Sequence, residues 1–120
     1  MSKVKTVLSW VPLVLLGLPM IAAGGAKLAG VPDLHASFSQ MGLPGWFGYF
    51  IGACELAAGI AMFIPRFTAL AATGLIPIMI GAAYFHLFYA VPSPAPAIVF
   101  IALCIYAIVL RRKDAIWYPI

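Results

Sequence analysis

The apolar run GWFGYFIGACELAAGIAMFI, residues 45–64, holds one carboxylate, Glu55, near its middle. A helix of that length, at about 1.5 Å per residue, spans the roughly 30 Å hydrocarbon core of a bilayer. An acid at that depth costs about 3 kcal/mol on insertion scales, so it is expected to face a bundle interior with a partner. Where that partner lies decides how the rest of the chain is read.

The composition agrees with a membrane setting. Of 120 residues, 65% are hydrophobic and only 8% charged, and the mean hydropathy is +1.11. A soluble domain carries about 25% charged residues, so a soluble class is excluded. The net charge of +4 does not point to nucleic acid, because the basic residues gather at segment ends rather than on one face. They read instead as topology signals. Cys54 and Cys104 both sit in apolar runs without CxxC or Cys/His spacing. They read as small buried residues, neither a redox pair nor a zinc site.

Four spans are expected, at about residues 6–27, 46–64, 68–90 and 94–111, making one domain over residues 1–120. Lys3 and Lys5 ahead of the first resemble a signal-peptide start. Its apolar stretch is longer than a signal core of about 7–15 residues, so a retained helix is expected. Pro12, Pro19 and Pro77 should kink the first and third spans, and VPSPAPA reads as an extended connector. Between the first two spans lies GVPDLHASFSQMGLPG. Asp33 is a plausible N-cap there, Leu34, Phe38 and Met41 repeat at helical spacing, and Gly42 and Pro44 supply a stop. That pattern predicts a short amphipathic helix at the membrane surface, with His35 as a solvated histidine. The predicted fold is therefore all-α, an integral membrane four-helix bundle with a short amphipathic outer-surface helix between helices one and two. Lys3, Lys5, Arg66, Arg111, Arg112 and Lys113 share one side. The positive-inside rule then puts both termini in the cytoplasm of a multi-pass cell-membrane protein. Trp117 and Tyr118 suit the headgroup layer.

Small residues mark the inward faces. Gly48, Gly52 and Gly59 share a stripe with Glu55. Met20, Ala23 and Gly24 line up with Lys27, and Met79, Ala82 and Ala83 with His86. Lys27, Glu55 and His86 are thus expected to meet in the outer half of the membrane, with Tyr84, Tyr89 or Tyr106 completing hydrogen bonds. Two readings stand side by side: an ion pair that fixes helix register, or a ligand-binding site. The aromatic residues at matching depth read as an interfacial belt, or as a stacking surface for a flat ligand. No nucleophilic triad, phosphate loop, metal box or haem ligand pair is visible. No catalytic residue or metal ligand is assigned, and whether the chain is an enzyme stays open.

Several short motifs together resemble the DoxX-like family of small four-helix membrane proteins. They are Ala26-Lys27-Leu28 closing helix one, FSQMGLP from Phe38 to Pro44, and Gly52-Ala-Cys-Glu55-Leu. Pro65 after helix two and Ala83-Tyr-Phe-His86-Leu complete the set. The resemblance covers residues 17–110. It implies a four-helix membrane bundle whose characteristic polar positions are Lys27, Glu55 and His86. The family name comes from a subunit linked to thiosulfate:quinone oxidoreduction. Relatives are tied to oxidative-stress membrane complexes, and a distant animal member assists assembly of nicotinic acetylcholine receptors. This chain lacks a cysteine pair fit for sulfur chemistry, which argues against direct thiosulfate oxidation.

Three functional expectations follow. The first is a lipophilic, quinone-type molecule or a lipid bound in a polar intramembrane pocket open to the outer side. With no intrinsic cofactor ligands in the sequence, electrons would come from a membrane redox partner. The second is an assembly factor or accessory subunit for a client protein, with a purely structural Lys27–Glu55 pair. The third is a small transporter, which would need a homo-oligomer. All three keep the lipid bilayer as a partner and leave out nucleic acid.

Overall fold

A computed structural model describes residues 2–88 and 93–117, leaving aside the side chain of Ser37. Tyr89 and Tyr118 lie outside the described residues. Five helices form within them: α1 (Lys3–Leu28), α2 (Pro32–Gln40), α3 (Phe47–Ala61), α4 (Pro65–Phe88) and α5 (Ala95–Leu110). The Ser2 side chain caps α1 by accepting from the Lys5 amide at 3.2 Å. α1 continues through Pro12 and Pro19, and α4 through Pro77.

Several boundaries depart from expectation. α2 starts at Pro32, so Asp33 sits inside its first turn and is not the cap. Proline suits a first helical position, where its missing N–H has no partner to lose. Pro65 works the same way. It opens α4 three residues ahead of the expected start at 68, while α3 ends at Ala61 and not at 64. The tight link between them is stitched by Thr68. Its buried hydroxyl lies 3.0 Å from the Met62 carbonyl and 3.1 Å from that of Ile64. α1 and α4, with 26 and 24 residues, are long and apolar enough to cross a membrane. α3 and α5, with 15 and 16, are shorter apolar helices.

α1 packs most closely on α3, and α4 on α5; looser α3–α4 and α1–α5 contacts complete the arrangement. Glycine sets the α1–α3 approach. A β-carbon on Gly24 would stand 2.5 Å from the Leu56 amide nitrogen, and one on Gly59 would stand 2.8 Å from the Gly17 carbonyl. The two helices therefore run antiparallel, backbone against backbone, as the small-residue stripe predicted. Leu13, Leu16 and Met20 of α1 meet Leu75 and Met79 of α4 and Cys104 of α5 in the buried core. Large apolar side chains such as Leu15, Leu18, Leu70, Ile80, Ile98 and Val109 point outward instead.

One end of the molecule is closed by α1 and α5. The Tyr106 hydroxyl donates to the Leu8 carbonyl at 3.2 Å, and the Arg111 guanidinium lies over the Trp10 ring, 5.0 Å from its centroid. Lys27 is at the other end of α1, about 28 Å away at 1.5 Å per residue.

Candidate functional site

Lys27 and Glu55 form the polar heart of the opposite end. Lys27 Nζ donates to Glu55 Oε1 at 2.7 Å, and the two side chains are 13% and 5% exposed. The glycine contact makes this geometry. Gly52, one turn before Glu55, sits so close to α1 that a β-carbon there would be 2.7 Å from that of Lys27. The short interhelical distance lets the lysine reach the acid without leaving its own helix end. Two charges this sheltered are tolerable only as a pair, because either alone would keep its desolvation penalty.

A cavity of about 900 Å³ opens beside the pair, walled by α2, α3, α4 and Lys27 of α1. Glu55, Tyr84 and His86 line it with Lys27, so the geometry brings together four of the six side chains singled out from sequence. Tyr106 is not among them. Its ring is at the far end on Leu8, since α5 runs antiparallel to α1. His86 Nδ1 is buried and has no hydrogen-bond partner among the described residues. A buried polar atom left so costs about 1–3 kcal/mol, which makes it a natural contact for a bound molecule.

α2 covers the cavity. Leu34, Phe38 and Met41, the expected apolar stripe, all line it, and the Phe38 ring meets that of Phe47 edge-on at 5.5 Å. His35 holds this cover down, and the reading of it as a solvated surface residue is corrected here. It is half-buried, its Nε2 lies 2.8 Å from the Lys27 carbonyl, and its ring leans on Tyr49 with centroids 4.4 Å apart. A carbonyl only accepts, so Nε2 carries the proton. Gly48 leaves the room that the imidazole fills. The same carbonyl, at the α1 C-terminus, also accepts from the Gly30 amide at 3.1 Å. Sequence reasoning had one usable signal for this contact, Gly48 itself, but it gave no sign of which side chain would take the space.

Among the described residues no three His, Cys, Asp or Glu side chains gather in metal-binding fashion. The polar chemistry of the cavity is that of an ammonium–carboxylate pair, the Asp33 carboxylate, an imidazole and a phenol, set in aromatic and aliphatic walls. Such an arrangement can hold a mostly apolar molecule and orient it by a few hydrogen bonds.

Apolar helices with outward-facing leucine and isoleucine, and a sheltered ion pair at one end, define a helical membrane protein. The chain belongs to the DoxX-like family, whose model matches residues 11–109. No curated relative and no solved structure matches it.

Proposed function

We propose that the protein is a multi-pass receptor for a neutral lipophile, which it binds in the cavity between α2, α3 and α4. In this reading α1, α3, α4 and α5 form a single four-helix bundle through the bilayer, with α2 on the outer surface. The long dimension of 46 Å supports it, since a bilayer with its headgroups measures about 40–45 Å. Lys3, Lys5, Arg66 and Arg111–Arg112 then fall at one end, which the positive-inside rule puts in the cytoplasm with both termini.

The observation that carries the ligand reading is His86 Nδ1, without a hydrogen-bond partner among the described residues, on the same cavity as the Lys27–Glu55 pair. Lys27 and Glu55 cancel each other's charge and Asp33 adds a further carboxylate to the lining, which favours a neutral head over a fatty-acid carboxylate. A head with carbonyl oxygens suits the site. Lys27 Nζ has three N–H donors, one engaged by Glu55, and His86 can present an N–H from Nδ1 in the right tautomer. A quinone-type ring meets these terms, with aromatic walls such as Phe47 and Phe85 for its faces. The role is binding and presentation, with oxidation or reduction of the head left to a membrane partner.

The test is saturation binding of tetramethyl-para-benzoquinone to the purified protein in nanodiscs, with protein-free nanodiscs subtracted. Saturable binding that weakens about tenfold in His86→Phe is expected. Absence of saturable binding to the unaltered protein would overturn the reading.

A further inference from the structure

A second cavity of about 480 Å³ runs between α3 and α4. Its walls are almost wholly apolar, and small residues make the space: Ala57 and Ala61 on α3 and Gly74 on α4. This is the seam where the helices pack less closely than α1 does on α3. Phe50, Ile51 and Ile78 line both this groove and the larger cavity, so the two adjoin at those three side chains. From Phe50 to Ala61 the groove follows α3 for about 16 Å, at 1.5 Å per residue.

We infer that the ligand is a two-part amphiphile, a neutral hydrogen-bonding head in the larger cavity joined to a single hydrocarbon tail laid along the α3–α4 groove. This rests on the reading of the larger cavity as a head-binding site. The argument is adjacency with a change of chemistry. One compartment has an ion pair, a second carboxylate, an imidazole and a phenol; the other has aliphatic groups, phenyl rings, the Cys54 side chain and bare helix backbone. A compact head without a tail would make no contact with the groove, and a tail without a head would leave His86 Nδ1, which has no partner among the described residues, unmet. A β-carbon at Gly74 would meet nothing within 4 Å, so the groove is open at mid-length and none of the described residues fills it there.

The experiment compares two probes in nanodiscs, with protein-free nanodiscs subtracted. One is tetramethyl-para-benzoquinone; the other is trimethyl-para-benzoquinone carrying a decyl tail. Gly74→Phe fills the groove from a position with open space around it, and Ala57→Phe fills it from the facing helix. The tail is expected to tighten binding to the unaltered protein about tenfold. Both variants should abolish that gain and leave binding of the tailless probe unchanged. If the tailless probe binds and the tail adds nothing, or if both variants keep the gain, the groove is not a tail site and the inference falls. The head-binding reading survives that result. If neither probe binds saturably, the reading and the inference fall together.

Discussion

Gly52 and Lys27 touch across the α1–α3 seam so closely that a β-carbon on the glycine would stand 2.7 Å from the lysine's own. The same lysine closes on Glu55 one turn further along α3. Helix approach and charge pairing are therefore one structural unit, and four predictions separate its parts from the features around it.

Breaking the pair from one side should be worse than removing both charges. Glu55→Leu or Lys27→Met alone leaves an unpaired sheltered charge and is expected to lower stability by about 3–5 kcal/mol. The double variant should recover most of that loss. Thermal unfolding of the four proteins in one detergent makes the double-mutant cycle, and additive losses would show that the 2.7 Å contact carries no coupling.

Gly24→Ala and Gly25→Ala are neighbours with opposite expectations. A methyl at Gly24 meets the Leu56 backbone at 2.5 Å, whereas one at Gly25 has nothing within 4 Å. The first should destabilise by about 1–3 kcal/mol as α1 and α3 are forced apart. The second should be neutral or stabilising by up to about 1 kcal/mol, from better helix propensity. Midpoint shifts in the same melting assay distinguish them.

His35→Ala removes the bond to the Lys27 carbonyl and the ring contact with Tyr49. Global stability should fall by only about 0.5–1.5 kcal/mol. Amide exchange across Pro32–Gln40 should nevertheless rise well beyond that of α1 and α3, as the cover over the cavity loosens. Uniform change along the chain would contradict the latch role.

Thr68→Val keeps the shape of the α3–α4 turn and deletes the hydroxyl that bonds the Met62 and Ile64 carbonyls. A loss of about 1–3 kcal/mol is expected, because Thr68 is fully buried and no water replaces the donor. Thr73→Val makes the comparison. Its hydroxyl bonds the Ala69 carbonyl within the same helix from an exposed position, so its loss should matter less.

The polar heart of the site was legible in the sequence because an acid in an apolar run is expensive, and expense narrows the choice of partner. Lys27 was the basic residue nearest in depth, and the glycines beside Glu55 gave the direction in which it faces. Helix ends were less legible. Pro65 directly follows the expected second span at 46–64, and its fixed backbone angle serves as a start for α4. His35, Thr68 and Tyr106 were misplaced or passed over for a shared reason. Each makes its contact with a backbone carbonyl, and every residue offers one, so periodicity carries no trace of the pairing. Tyr106 also shows that a tyrosine's depth along one helix says little until the direction of that helix against its neighbours is fixed.

The bare contact between Gly24 and Gly52 has a genetic corollary. Glycine is the smallest residue, so every missense change at either codon adds atoms where backbone already stands. Alanine is the mildest allele open to such a seam, and every larger residue moves it further from the inherited fit. Variation without that cost is left to the roomier positions, of which Gly74 is one.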